Sequence, residues 1–215
     1  MLRNFWCLFL CIMCLGGSAG AHPHVFVDAR TGFIFDADGH LEAMRISWTY
    51  DEFTSLVLFE TLSLDQDGDG QLNETDYAAI IAGETDWAPD YKGDVYLEVA
   101  GQDYPLGRPA AAQVTFEDNK VEVSFNLPLS QPIKIDSAPA FLRLYDPGFY
   151  YAYTILQTMD AYDAPEGCDT QVVSFEPNAA ENILQEKLAT LGRDEAPIEE
   201  NVGLLFSDEV HLTCG

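Results

Sequence analysis

Basic residues are scarce in this chain of 215 residues. Ten lysines and arginines stand against 36 aspartates and glutamates, which gives a formal net charge of −26 at pH 7. A negative field of this size repels phosphate backbones and anionic lipid, so we expect neither nucleic acid nor an anionic membrane surface as a partner. Hydrophobic residues make up 47% of the sequence, which excludes a disordered chain. The composition favours cations, and therefore metal ions, as ligands.

The sequence also lacks common catalytic motifs. It has no Gly-x-Ser-x-Gly, phosphate-binding loop, His-Glu-x-x-His or dinucleotide fingerprint. Asp51 and Glu52 have the chemistry of a general acid and base, but acids at this point are more typical of a helix start. We therefore expect no enzymatic activity. A copper-brace oxidase, which also begins with histidine, is the remaining enzymatic alternative.

No apolar run at the start of the chain is long enough to span a bilayer. The run from Phe5 to Leu15 has 11 residues, follows Arg3, and precedes the small residues Ala19 and Ala21. This pattern is typical of a signal peptide with an A-x-A cleavage site. We predict that residues 1–21 are removed and that residues 22–215 form one periplasmic domain without a membrane span.

Cysteine is rare in the predicted mature chain. Cleavage after Ala21 removes three of the five cysteines and leaves Cys168 and Cys214. Two cysteines in an exported domain predict a disulfide. A metal site built on the two thiols is the alternative.

Short β-rich segments separated by turn residues dominate both ends of the chain. Their number and spacing predict a mainly β fold, an antiparallel β-sandwich. Residues 36–39, Asp-Ala-Asp-Gly, predict a hairpin turn. The predicted strands are 25–29, 32–35, 41–50, 95–99, 104–106, 113–116, 121–126, 141–145, 150–156, 172–175 and 209–213.

Two helical regions interrupt the strands. An EF-hand-like helix–loop–helix is predicted as an insertion at about 51–83, with helices over 52–64 and 75–82. One C-terminal helix is predicted over 177–191, with Pro177 at its first position and Gly192 as its stop. Residues 193–201 are charged and contain Pro197, so we expect an exposed linker.

The strongest motif is a calcium loop over residues 65–76, which read D-Q-D-G-D-G-Q-L-N-E-T-D. It resembles an EF-hand loop position by position, with Gly70 at the sharp turn and Leu72 as the apolar anchor. Asp76 stands where glutamate is the usual bidentate ligand, so we expect a weak site that acts as a structural clip rather than a sensor. The predicted Ca²⁺ ligands are Asp65, Asp67, Asp69, Gln71 through its carbonyl, Asn73 and Asp76.

The predicted new N-terminus reads His22-Pro23-His24. It places an α-amine and two imidazoles within three residues, and Pro23 favours an extended chain that points both side chains to one side. Such nitrogen ligands suit Zn²⁺, Cu²⁺ or Ni²⁺. A frayed terminus with two incidental histidines is the alternative. A completing ligand is needed, and Asp146, Asp51 and His211 are the candidates.

Several motifs occur together in a specific order. They are residues 22–29 (HPHVFVDA), 48–53 (WTYDEF), the calcium loop, 145–147 (YDP) and the pair Tyr150-Tyr151. In this order they resemble the bacterial family catalogued as domain of unknown function 1007, over nearly the whole mature chain. The resemblance implies a periplasmic component of an ABC-type transport system, similar to Zev-type zinc-acquisition proteins and often paired with nickel/cobalt-type permeases. It also implies that His22 and His24 form the metal-binding end, and it places Asp51 and Asp146 in matching motifs.

We therefore predict a periplasmic metal-binding protein, accessory to zinc, nickel or cobalt transport, that delivers its ion to an inner-membrane permease. The alternative is a calcium-stabilised secreted interaction module that has no transition-metal function.

Overall fold

The computed structural model describes residues 22–136, 138–159, 161, 163–192 and 194–215. Within them, ten strands form two five-stranded sheets, which confirms the mainly β sandwich. The first sheet has the order β5-β6-β2-β1-β8 and the second β4-β3-β7-β10-β9. The strands are β1 (Val25–Phe35), β2 (Leu41–Tyr50), β3 (Val95–Val99), β4 (Gln102–Tyr104), β5 (Ala110–Glu117), β6 (Lys120–Ile133), β7 (Ala140–Leu144), β8 (Tyr151–Thr158), β9 (Cys168–Val173) and β10 (Glu209–Cys214). The predicted signal peptide lies outside the described residues.

The first sheet departs from the prediction in two ways. Strand β1 is continuous, so the expected break between residues 29 and 32 is wrong; Thr31 is buried within the strand and keeps it paired with β2. Strands β1 and β8 pair in parallel, whereas all other strand pairs among the described residues are antiparallel. The parallel pair brings the start of β1 beside the start of β8, where Val25 aligns with Tyr151.

The core lies between the two sheets. Alternate residues of β3, β7 and most of β6 are buried, which is the period of a sheet with one face packed. Each large apolar side chain buried in this way contributes roughly 1.5–3 kcal/mol. The largest fully buried side chains include Phe33, Met44, Ile46, Phe125, Leu127, Leu142 and Leu212.

The predicted helix–loop–helix follows β2 as α1 (Glu52–Leu62) and α2 (Glu74–Thr85). Asp51 is the N-cap of α1 and accepts the backbone N–H of Thr54 over 2.6 Å. Asn73 caps α2, and Asp76 returns a bond to its N–H, so the two residues form a capping box. Ile80 joins α2 to the main core.

The C-terminal helix is shorter than predicted. Helix α3 (Ala179–Leu188) begins after the N-cap Asn178, whose side chain accepts two backbone N–H groups. Pro177 therefore lies outside the helix and the predicted bounds are wrong. A 3₁₀ helix, Val202–Phe206, follows the linker and was not predicted. It packs with α3 and Phe149 in a second apolar cluster.

The predicted disulfide is confirmed: Cys168 is bonded to Cys214, its partner across the β9–β10 pair. The bond ties the last strand of the chain to the edge strand of the second sheet. None of the helices in the described part of the chain has the length and apolar character needed to cross a membrane.

Candidate metal centres

The structure brings His22 and His24 together at the start of β1. Their ring centroids lie 4.7 Å apart at an interplanar angle of 75°. The ring of Tyr150 contacts both histidines, with its centroid 4.8 Å from that of His24 and 5.9 Å from that of His22. The backbone N–H groups of His24 and Val25 both donate to the Tyr150 carbonyl, at 2.8 and 3.1 Å. The parallel β1–β8 pair therefore fixes the position of this histidine pair.

His22 is buried, with 4% of its surface exposed. Its Nδ1 finds no hydrogen-bond partner among the described residues. A buried ring nitrogen without a partner is costly unless another ligand satisfies it. A metal ion would satisfy it, and imidazole nitrogen is a ligand that divalent transition metals prefer.

Asp146, the first candidate for a third ligand, is linked to the histidine pair through Tyr150. Its Oδ2 accepts the backbone N–H groups of Tyr150 and Tyr151, at 2.6 and 3.2 Å, and its Oδ1 accepts that of Gly148 at 3.1 Å. These bonds hold a tight turn between β7 and β8. The carboxylate is thus fixed in place, with three of its roughly four acceptor sites in use.

The other two candidates for a third ligand, Asp51 and His211, have different contacts. Asp51 caps α1, and His211 lies on β10 between the ring of Phe141 and the carboxylate of Glu209. Across the residues that the structure describes, no third histidine, cysteine or acid joins His22 and His24 in a compact ligand cluster. Neither Asp51 nor His211 is brought to the pair.

The predicted calcium loop lies between α1 and α2. Ligand oxygens of Asp65, Asp67 and Asp69 lie within 4.8 Å of one another, so this group has the geometry to hold a metal ion. Asp65 accepts the backbone N–H groups of Asp69 and Gly70, at 3.0 and 3.1 Å, which folds the loop around the first predicted ligand. Gly70 has φ +77°, the left-handed conformation that the sharp turn requires.

The other predicted calcium ligands are less well placed. Gln71 donates its backbone N–H to Asp69 over 2.8 Å. Asn73 accepts two N–H groups at the start of α2, and Asp76 accepts the Asn73 N–H through Oδ2 at 2.9 Å. The oxygens of Asp76 are not part of the three-aspartate group. Calcium binding stays a prediction.

A second acidic group, which sequence reasoning did not select, lies at the β1–β2 hairpin. Ligand atoms of Asp36, Asp38 and His40 lie within 4.8 Å of one another. Asp36 accepts the backbone N–H groups of Asp38 and His40. The hydrogen bond from the His40 N–H lowers the pKa of the Asp36 carboxyl. The signal in the sequence was the alternation of ligand residues in a tight turn.

A cleft lined by acids and aromatic rings was also missed. It consists of two adjoining cavities of about 660 and 360 Å³ that share Tyr91, Asp94 and Asp146. We call the smaller one the aromatic cavity. Its lining residues are Trp48, Tyr50, Gly83, Glu84, Trp87, Tyr91, Asp94, Asp146, Tyr151 and Tyr153. They come from β2, the end of α2, the following loop and β8, so neither periodicity nor a motif could have grouped them.

The acids of the aromatic cavity have unusual electrostatics. Burial raises the pKa of Asp94 to about 7, although the hydroxyls of Tyr153 and Tyr91 donate to it over 2.9 and 3.0 Å. Burial also raises the pKa of Glu84, which accepts the Tyr50 hydroxyl over 2.6 Å. Desolvation exceeds hydrogen bonding at both carboxyl groups.

The sequence of the chain is similar to that of a known protein and matches a protein family. A protein of Haemophilus influenzae described as uncharacterised is 24% identical over 197 residues, which cover 90% of this chain and 91% of that protein. The family model described as "Protein of unknown function (DUF1007)" matches residues 7–214. The implied link to ABC-type transport and zinc acquisition stays a prediction. The match over nearly the whole sequence shows that the chain belongs to the DUF1007 family.

Proposed function

We propose that the protein is a periplasmic metal-binding protein whose mature N-terminus binds a divalent transition metal. The main support for the proposal is the histidine pair. The ring centroids of His22 and His24 lie 4.7 Å apart, and the buried Nδ1 of His22 has no hydrogen-bond partner among the described residues. Cleavage after Ala21 would add the α-amine of His22 as a third nitrogen. Asp146, anchored on the same Tyr150, is the candidate acid that could complete the site.

The nature of the ligands favours zinc, copper or nickel. Two imidazoles and an amine are borderline ligands, which suit these ions better than calcium or magnesium. The ion is the protein's cargo in this proposal, and an inner-membrane metal permease is its receiver. The acidic surface raises the local concentration of cations around the site.

Alanine variants test the binding site directly. The double variant His22→Ala/His24→Ala should lose stoichiometric Zn²⁺ binding in titration calorimetry of the mature protein. The matched control is His40→Ala/His211→Ala, which removes the other two histidines and leaves the pair intact. Equal Zn²⁺ affinity in the two double variants would refute the proposal.

The accessory role in transport needs a test in cells. A strain that lacks the gene should grow poorly when zinc or nickel is limited by a chelator. The wild-type gene should restore growth, and the His22→Ala/His24→Ala gene should not. If the variant gene restores growth fully, the protein's role in cells does not depend on the histidine pair.

A second candidate function is a calcium-stabilised secreted interaction module without a transition metal. The observation that favours it is the convergence of Asp65, Asp67 and Asp69 in a loop that joins two helices. Outside the cytoplasm, calcium sites with dissociation constants of roughly 10⁻⁴–10⁻³ M are common, and such a site would stay loaded. This function is the better account if the mature protein binds calcium but no transition metal.

A further inference from the structure

We propose that the aromatic cavity binds a small organic cation, an alkylammonium. The cavity combines six aromatic side chains with three carboxyl groups, those of Glu84, Asp94 and Asp146. Its volume of about 360 Å³ is at the lower end of the range for small-molecule pockets, roughly 300–1,000 Å³. This proposal does not rest on the histidine pair, although Asp146 lines the cavity and is also the candidate acid of the metal site.

Six of the ten residues that line the cavity are aromatic. The rings of Trp48 and Trp87 stack with centroids 6.4 Å apart and an interplanar angle of 23°. Tyr91 packs against Trp87 at 5.4 Å, and Tyr153 against Trp48 at 5.9 Å. The negative face of an aromatic ring attracts a cation, and tryptophan attracts it most strongly. Cages of several such rings recognise methylated ammonium groups.

The acids supply the complementary charge. Tyr91 and Tyr153 both donate to Oδ2 of Asp94, which leaves Oδ1 of this carboxylate for a ligand. Glu84 is held by the hydroxyl of Tyr50. Burial disfavours the charged form of both acids, and a bound cation would relieve that cost.

A metal ion fits this cavity less well than an organic cation. None of the three cavity acids, Glu84, Asp94 and Asp146, is part of a three-ligand metal group among the described residues. Most of the wall consists of rings, which cannot replace the six to eight oxygen ligands of calcium. The combination of few carboxylates and many rings therefore favours the organic cation.

Intrinsic fluorescence can test the proposal with little interference. The chain has three tryptophans, and Trp6 lies in the predicted signal peptide, so the mature protein retains only Trp48 and Trp87. Both line the cavity, so their emission reports on its contents. Choline is the probe, and 3,3-dimethyl-1-butanol, which has the same shape and hydroxyl but no charge, is the matched control. We expect choline to change the emission saturably and the neutral alcohol to bind at least about tenfold more weakly.

Two sets of variants complete the test. Asp94→Asn and Glu84→Gln keep the shape of the cavity but remove a charge, and each should weaken choline binding by about tenfold. His22→Ala/His24→Ala should bind choline like the wild type, which separates this site from the proposed metal site. Melting curves establish that each variant is folded. A lack of any saturable response to choline, or equal affinity for choline and the alcohol, would overturn the proposal.

Discussion

His24 and Asp146 are both hydrogen-bonded to the backbone of Tyr150, His24 at its carbonyl and Asp146 at its N–H. The His24 N–H donates to the Tyr150 carbonyl over 2.8 Å, and Asp146 accepts the Tyr150 N–H over 2.6 Å. A backbone hydrogen bond therefore joins the start of β1 to Tyr150, and the Asp146 carboxylate holds Tyr150 in the turn before β8. Any change that displaces this turn should also displace the histidine pair.

Replacement of Gly203 by alanine should displace the turn. A Cβ at this position would lie 1.9 Å from the Asp146 carbonyl oxygen, so the 3₁₀ helix and the turn must separate. We expect Gly203→Ala to cost about 1–3 kcal/mol of stability and to weaken Zn²⁺ binding as well. Chemical denaturation and calorimetry measure the two effects.

Gly83→Ala is the matched control for this substitution. Gly83 lies in α2, and its added Cβ would meet only Leu62 at 3.5 Å, an ordinary contact. Alanine is the better helix former by up to about 1 kcal/mol, so this variant should be as stable as the wild type or more so. If both glycine variants lose the same stability, steric contact with Asp146 is not the cause.

Calcium should stabilise the protein through the loop over residues 65–76. With a dissociation constant of roughly 10⁻⁴–10⁻³ M, about 10 mM Ca²⁺ should add roughly 1.4–2.7 kcal/mol. Asp65→Ala/Asp67→Ala should abolish this gain, as measured by melting in calcium and in chelator. Asp36→Ala/Asp38→Ala, in the other acidic group, should retain it. Identical melting of the wild type in calcium and in chelator would show that the loop is not a calcium clip.

Loss of the disulfide should lower stability substantially. The two cysteines are separated by 46 residues in sequence, and closing a loop of that length is worth about 4 kcal/mol by the chain-entropy estimate. We expect Cys168→Ser/Cys214→Ser to unfold at lower denaturant concentration. Thiol titration of the denatured, unreduced wild type should find no free thiol, and two free thiols would contradict the bond.

The buried carboxyl of Asp94 should make stability depend on pH. Its pKa is about 7 in the folded protein and near 3.8 when unperturbed, so the folded state binds more protons between these values. Stability from this group is therefore fully present below about pH 4 and falls as the pH rises toward 7. Asp94→Asn cannot ionise at this position, so it should not show this loss of stability. The loss in the wild type is at most about 4 kcal/mol, because each pKa unit corresponds to about 1.4 kcal/mol.

The measurement for Asp94 is denaturation of the wild type and Asp94→Asn at pH 5 and pH 8. The stability of the variant relative to the wild type should rise between the two. Glu186→Gln, an exposed acid on α3, serves as the control and should show no such change. A difference between wild type and Asp94→Asn that is the same at both pH values would rule out Asp94 as the source.

The sequence was sufficient for features that depend on local patterns. Alternating apolar residues identified most strands, and the turn residues 36–39 identified the hairpin. The aspartate spacing identified a loop in which three of the six predicted ligands, Asp65, Asp67 and Asp69, converge. The disulfide followed from the number of cysteines left after the predicted cleavage. Each of these rests on residues close in sequence or on simple counting.

Features that depend on distant contacts could not be predicted. The parallel pairing of β1 with β8 joins residues more than a hundred positions apart, and it is this pairing that places the histidine pair on Tyr150. The aromatic cavity likewise draws on β2, α2 and β8. The start of α3 was misplaced because the N-cap is Asn178, whose side chain accepts two backbone N–H groups, so Pro177 lies outside the helix.

The α-amine of His22 provides the most direct test of the proposed metal site. Mature protein that begins at His22 is compared with the same protein carrying one extra methionine, which turns the amine into a non-basic amide. Both imidazoles, the acidic surface and the calcium loop are unchanged. Calorimetry at buffered free Zn²⁺, Cu²⁺ or Ni²⁺ should show an affinity loss of about tenfold or more, equivalent to at least about 1.4 kcal/mol, from the lost ligand and chelate ring. Equal affinity of the two proteins, or no stoichiometric binding by either, would contradict the account.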